Sequence, residues 1–371
     1  MVNHLGNWKN GELGDFVTLK RGFDLPQQKR EDGQVPIFSS SGITGTHSTA
    51  MVKAPGVITG RYGTIGEVFY AAKDFWPLNT TLFVEDFHGN DAKFIYYFLK
   101  TLEWSKFTSA SAVPGINRNT VHKEIVSLPD IETQRRIAST LSMFDEKIKI
   151  NTEINDNLYA QAKAIFDNHF INIDAIPAGW RKGNLLDIAN YLNGLAMQKF
   201  RPQGHEIGLP VLKIKELRQG SCDDSSELCS LSIKPEYIIH NGDVVFSWSG
   251  SLLVDIWCGG TCGLNQHLFK VTSDVYDKWF YYLWTAHHLA RFIAIAADKA
   301  TTMGHIKREE LAKAEVLIPC EEDYTSFNSI MQPIFELIIS NRIESRKLAV
   351  LRDELLPKLM SGEIDVSAVQ L

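Results

Sequence analysis

Two stretches of the chain carry apolar residues at alternating spacings of four and three. The first runs Ile137, Leu141, Phe144, Ile148, then Asn151 and Asn155, then Leu158, Ala162 and Ile165. The second runs Phe327, Met331, Ile334, Ile338, then Asn341 and Ser345, then Leu348, Arg352, Leu355 and Leu359. So narrow a seam predicts a long helix lying against a partner helix. The polar break falls at the same point in both copies. It suits a zipped pair in which Asn151, Asn155, Asn341 and Ser345 fix the register at some cost in stability. Ordinary amphipathic core helices would show the same seam. Asp130 is placed to cap the first helix, Glu321, Glu322 and Asp323 bring negative charge to the start of the second, and Gly362 sits as a C-terminal cap. Pro333 predicts a kink, or a second helix that effectively begins near Gln332. Each helix of roughly 36 residues would span roughly 50 Å at ~1.5 Å per residue. That exceeds one turn of duplex DNA, about 34 Å, and makes the pair a spacer.

The pattern around the helices repeats as well. Trp8-Lys9-Asn10-Gly11-Glu12-Leu13-Gly14-Asp15 returns as Trp180-Arg181-Lys182-Gly183-Asn184-Leu185-Leu186-Asp187. Val35-Pro36-Ile37 is answered by Leu209-Pro210-Val211, and Ala54-Pro55-Gly56-Val57-Ile58 by Asn241-Gly242-Asp243-Val244-Val245. Phe94 to Leu99 answers Trp279 to Trp284, and Val126 to Pro129 answers Val316 to Pro319. Matches kept in order along the chain mark a tandem duplication, each copy a globular unit followed by a long helix. Within a unit, short β-rich runs such as Val57-Ile58-Thr59 and Val68-Phe69-Tyr70 predict strands. The run Asp91 to Lys106 predicts a helix packed on the sheet through its aromatics. The units are therefore mixed α and β, without the regular alternation of a doubly wound fold.

At 371 residues the chain has room for two cores, and its 44% apolar and 22% charged content is that of a globular protein. No apolar run reaches bilayer length, and Met1 to Asn10 lacks a signal core, so no membrane association is expected. Five scattered cysteines fit a reducing cytoplasm. The net charge of -6 neither suggests nor excludes a nucleic-acid partner, since a local basic face is what matters.

Catalytic motifs are not evident. Gly60-Arg61-Tyr62-Gly63-Thr64-Ile65-Gly66 lacks the dinucleotide spacing and leads into a strand, and there is no phosphate-binding Walker loop, amino-methyltransferase loop or His-Glu-x-x-His. Cys222, Cys229, Cys258 and Cys262 have the wrong spacing for a zinc ribbon, so no metal is expected. His287-His288 reads as helix surface. Each unit does hold polar loops beside isolated bases. In the first these bring Ser40, Ser41, Thr46, His47, Arg61, Tyr62, Thr64, Ser109, Ser111, Asn117 and Arg118. In the second they bring Lys213, Lys215, Ser247, Trp248, Ser249, Ser251, Gln266, His267, Lys299, Thr301, His305 and Lys307. Such side chains match base edges and phosphates. Taken singly each loop reads as a turn; their recurrence in both halves favours recognition.

On these features the chain resembles the specificity (S) subunit of type I restriction-modification systems over nearly its whole length. The first junction, Leu128-Pro129-Asp130-Ile131-Glu132-Thr133-Gln134-Arg135-Arg136-Ile137, is similar to the family's Leu-Pro-x-x-x-x-Gln-x-x-Ile. Leu351 to Ile364 is similar to the family's ending; Gly60 to Gly66, Gly115 to Arg118 and Gly304 to Arg308 are similar to recurring recognition motifs. The second junction, Ile318-Pro319-Cys320-Glu321-Glu322-Asp323, departs from the pattern and leaves the start of the second helix open. The resemblance implies an α+β fold. Target-recognition domains at 1–130 and 173–320 are separated by antiparallel, coiled-coil-like spacer helices at 131–172 and 321–371. It implies a non-catalytic cytoplasmic subunit that reads a bipartite site on double-stranded DNA. Two methylation (M) subunits and restriction (R) subunits would dock on it and carry S-adenosylmethionine, ATP and Mg²⁺, with no cofactor on this chain. The alternatives are a DNA-modifying or nuclease enzyme with an unrecognised catalytic motif, and a protein scaffold that never touches DNA.

Overall fold

The computed structural model describes residues 8–108, 115–298 and 305–366. It divides into two compact units, Met1–Glu146 with Ala349–Leu371, and Lys147–Leu348.

In the first unit Glu12 and Asp15 form a capping box around the short helix α1 (Leu13–Phe16). Strand β1 (Lys9–Glu12) precedes it, and β2 (Thr18–Arg21) follows. Then come β3 (Val35–Ser39), β4 (Gly42–His47), β5 (Gly56–Gly60), β6 (Val68–Ala71), β7 (Trp76–Pro77) and β8 (Thr81–Asp86). These pair as a four-stranded sheet in the order β2-β8-β5-β6 and a three-stranded sheet in the order β4-β3-β7. Strand β5 is buried along its whole length, as a central apolar strand should be. Asp91 caps α2 (Ala92–Lys100) by accepting from the Phe94 amide at 2.8 Å. That helix ends earlier than the sequence suggests: Lys100 is its last residue, and Trp104–Phe107 forms a separate 3-10 turn. Helix α3 (Arg118–His122) and strand β9 (Ile125–Leu128), antiparallel to β1, complete the unit's globular part.

Helix α4 runs from Ile131 to Phe166 and closes in a π-turn at Asp167–Ile171. Asp130 caps it, accepting from the Thr133 amide at 2.9 Å. The second unit repeats the plan. Strand β10 (Arg181–Asn184), α5 (Leu185–Ile188) and β11 (Asn190–Asn193) open it. Strand β12 (Leu209–Leu212), α6 (Ile214–Gln219), β13 (Leu228–Cys229), β14 (Ile238–Ile239), β15 (Val244–Ser247), β16 (Leu253–Ile256), β17 (Cys262–Leu264) and β18 (Leu268–Thr272) follow. The larger sheet has the order β11-β18-β15-β16, strand for strand the order of the first unit. The smaller sheet is β13-β12-β17-β14, and like β3 with β7 it contains one parallel pair, β12 with β17. Helices α7 (Lys278–His287), α8 (Leu289–Asp298) and α9 (Arg308–Ala312) lead to β19 (Glu315–Ile318), which pairs with β10 as β9 does with β1. The aromatic helices match one residue out of step with the sequence comparison. Phe94, Ile95, Tyr97, Phe98 and Leu99 are buried in α2, whereas Phe280, Tyr281, Leu283, Trp284 and Thr285 hold the equivalent buried positions in α7.

Helix α10 spans Glu321–Met360 unbroken, so the late start predicted from Pro333 does not occur. The cost of the proline is offset by the burial of Met331 and Phe335 on either side in the unit's core. Gly362 takes a left-handed φ of 74° and ends the helix.

Each core draws on both long helices. In the first unit Ile137, Ala138 and Leu141 of α4 join Leu356, Leu359, Met360 and Val366 around Phe94 and Tyr97. In the second, Ala162, Phe166 and Phe170 join Met331 and Phe335 around Phe280 and Trp284. Within the second unit α4 and α10 run antiparallel, and their polar residues meet. Asn151, 1% exposed, donates to Glu344 at 2.7 Å and Ser345 at 3.2 Å. Asn341 donates to Asn155 Oδ1 at 3.0 Å, and Asn155 donates to the Ile338 carbonyl at 3.2 Å. A one-turn slip would strand all of these groups in an apolar seam.

Candidate nucleic-acid interface

The glycine-rich loop after β5 folds back on itself. A Cβ on Gly60 would lie 1.8 Å from the Thr64 carbonyl oxygen, so no other residue fits there. The loop pairs with the segment ahead of α3: Ile116 donates to the Arg61 carbonyl at 3.0 Å, and Tyr62 bridges to Gly115. Gly115 lets the Tyr62 ring lie close, since a Cβ there would meet the ring at 2.2 Å. Strand β2 borders the same place. The result is a concave cleft of about 760 Å³ lined by Lys20, Arg21, Arg61, Tyr62, Asn117 and Arg118, among others.

The cleft's charge is mostly uncommitted. The Arg61 guanidinium lies over the Tyr62 ring, 4.5 Å from its centre, a contact that holds the group without neutralising it. Arg21 approaches Asp24 at 3.8 Å with both side chains exposed, a contact worth little in water. Lys20 is paired to Glu85. Asn117 caps α3 through the Asn119 amide at 3.0 Å, and Arg118 is exposed. Behind them His122 accepts from the Leu19 amide at 2.9 Å, and burial, with Arg118 and His88 nearby, lowers its pKa.

The second unit builds the same place with other side chains. Ser247 opposes Leu268 as Gly60 opposes Thr81, and the next residue, Trp248, accepts from the Ile306 amide at 3.0 Å as Arg61 does from Ile116. Ser249 bridges to His305 as Tyr62 does to Gly115. The cross-strand register places Asn193 where the first unit has Arg21. Trp248 Nε1 donates to Asn193 Oδ1 at 2.9 Å. Lys307 and Arg308 then stand for Asn117 and Arg118.

Several residues expected at the interface are turned inward. His47, 5% exposed, accepts from the Glu31 amide at 3.0 Å and packs edge-on against Trp76. Ser247, fully buried, donates to the carbonyls of Ser249 and Ser251, and Ser249, 4% exposed, bonds His267 at 2.9 Å. These three brace loops and have no open edge for a base. Lys213 is tied to Glu227, and Lys215 to Asp223 at 3.4 Å, which leaves both largely neutralised. Ser40 packs beside the Gly60–Gly63 turn, whereas Ser41, Thr46, Thr64, Ser251, His305 and Lys307 are exposed, and Gln266 is half-buried against His267. Ser109, Ser111, Lys299 and Thr301 lie outside the described residues. His288, read as helix surface, is instead 9% exposed and bonded to the Glu315 carbonyl at 2.8 Å. The sequence reading missed Lys20, Arg21 and Asn193, because strand pairing brings them beside loops distant in the chain.

Among the described residues no group of three His, Cys, Asp or Glu has metal-holding geometry, and all five cysteines are free. No helix among the described residues is long and apolar enough to cross a membrane.

The two junctions explain the motif and its departure. Gln134, 2% exposed, donates to Asn90 at 2.7 Å and to the Pro129 carbonyl at 2.9 Å, and accepts from the Asp91 amide at 2.9 Å. It locks the α4 start to the α2 start. At the equivalent place in the second unit the Tyr324 hydroxyl accepts from the Asp277 amide at 2.6 Å and donates to the Asp277 carboxylate at 3.0 Å. The glutamine is lost and its hydrogen bond kept.

Residues 6–160 match the family described as the type I restriction modification DNA specificity domain. The chain is 27% identical over 307 residues to the MjaIX type I restriction enzyme specificity subunit of Methanocaldococcus jannaschii, covering 75% of this chain and 70% of that one. It is 20% identical over 344 residues to the HindI specificity subunit of Haemophilus influenzae, covering 71% and 75%. The crystal structure of a type I restriction-modification S subunit from M. genitalium shares the fold, with a TM-score of 0.63 at 17% identity over 97% of each chain. Residues 6–160 thus carry a type I restriction modification DNA specificity domain, and most of the chain is similar to type I restriction enzyme specificity subunits.

Proposed function

We propose that this protein is the DNA-recognition subunit of a type I restriction-modification complex and carries out no chemistry itself. Each unit reads one half of a bipartite site on double-stranded DNA, and the two long helices act as the spacer that fixes the unread gap. The observation that carries this reading is the recurrence of one strand-and-loop frame in both units with exchanged side chains: Arg21, Arg61 and Asn117 in one, Asn193, Trp248 and Lys307 in the other. A shared scaffold with different side chains is what reading two different half-sites requires. Methylation and restriction subunits are its partners, two of the former, in the cytoplasm. S-adenosylmethionine, ATP and Mg²⁺ belong to those partners. Long-read methylome sequencing of cells expressing this chain with its methylation subunit tests the reading. The expected result is a two-part, adenine-methylated site; an assembled complex that leaves no such site would overturn it.

A further inference from the structure

The side chains exchanged at equivalent positions of the two units differ in what they can hydrogen-bond. At one position of the shared sheet the first unit has Arg21, opposite Leu82, and the second has Asn193, opposite Phe269. At the loop position the first has Arg61 and the second Trp248. An arginine fork matches the O6 and N7 acceptors of guanine, whereas an asparagine amide matches the N7 acceptor and N6 donor of adenine. Both forks in the first unit are weakly committed: Arg61 lies over Tyr62, and Arg21 has only the exposed Asp24 at 3.8 Å among its described ionic contacts. In the second unit Trp248 Nε1 occupies one lone pair of Asn193 Oδ1. That bond orients the amide and leaves its two N–H donors and a second lone pair for an adenine edge.

We propose that the two units discriminate different purines at these equivalent positions: guanine by the Arg21–Arg61 pair in the first unit, adenine by Asn193, held by Trp248, in the second. Phosphate contacts by the same arginines are the competing role. The two differ in kind, because a lost phosphate contact weakens binding to all sequences alike, while a lost base contact relaxes one position. The inference rests on the DNA-recognition reading, and one experiment separates the two. The full complex with its methylation subunits is expressed with wild-type chain, Arg21→Gln, Arg61→Gln or Asn193→Ala, and the methylated sites are mapped on genomic DNA.

In wild type, a guanine in one half and an adenine in the other, besides the methylated adenines, are expected. Arg21→Gln or Arg61→Gln should lower discrimination at that guanine about ten-fold or more and leave the other half-site and the gap unchanged. Asn193→Ala should do the same at the adenine of the opposite half. The unaffected half-site shows in each case that the variant is folded and assembled. Uniform loss of methylation with an unchanged consensus, or relaxation at a base other than these purines, would overturn the assignment. A wild-type complex with no bipartite site would overturn the DNA-recognition reading itself.

Discussion

The two units have one plan and two surfaces. Their larger sheets have the same strand order, their terminal strands pair in the same register, and their cleft loops are held by the same backbone bond. What differs is what projects from that frame: in the first, cations with few partners; in the second, a tryptophan–asparagine pair and two basic residues at the helix start. The comparison separates what folding requires from what recognition is free to vary. The backbone bond from Ile116 to Arg61 recurs from Ile306 to Trp248, while the side chains around it are exchanged, Gly60 for Ser247 and Gly115 for His305 included.

The comparison can be broken most forcefully at the cores. Leu359→Ala removes a side chain 2% exposed in the first unit and should cost about 2–5 kcal/mol there. Hydrogen exchange should show lost protection in β1, α2 and β9, with α7 and β19 unaffected; equal loss in both units would mean that they do not fold separately. Next come the junctions. Gln134→Ala unpairs the Asp91 amide, Asn90 and the Pro129 carbonyl, and should cost on the order of 2–3 kcal/mol. Tyr324→Phe removes a single hydroxyl bonded only to Asp277 and should cost about 1 kcal/mol. Denaturant titration checks both, and equal losses would contradict the unequal sharing of bonds described above.

The smallest effect is that of pH. Burial holds His122 in the first unit and His288 in the second below the ordinary imidazole pKa. The unfolded chain therefore binds protons first, at about 6.5 and below. Their contribution to stability is complete above that value and declines as the pH falls through it. His122→Gln preserves an acceptor for the Leu19 amide and should flatten the decline for the first unit alone. Unfolding midpoints at pH 7.5 and 5.5, compared with wild type, measure this. An unchanged decline would assign it to other groups.

Much of this was legible in the sequence, for identifiable reasons. The seam residues and the asparagine break show because helical spacing is local, and the duplication shows because glycine, proline and tryptophan landmarks are tied to backbone geometry. Polar loop residues were harder. Ser247 and Arg61 look equally suited to a base edge in a linear sequence, yet one is fully buried and the other lines a cleft. Arg21 escaped notice because it sits at the end of a strand, and only pairing with β8 brings it to Arg61. Pro333 misled because local propensity at one residue is small beside the burial of its neighbours.

The way the cores borrow from the helices has a consequence for synthesis. The first unit includes Leu356, Leu359, Met360 and Val366, more than two hundred positions beyond its last strand, β9. The second is complete by Leu348. As the chain emerges from the ribosome, the domain made first must wait with part of its apolar floor uncovered. The domain made second can close before it. The order of manufacture is thus the reverse of the order of completion, and residues made after the second domain seal the first.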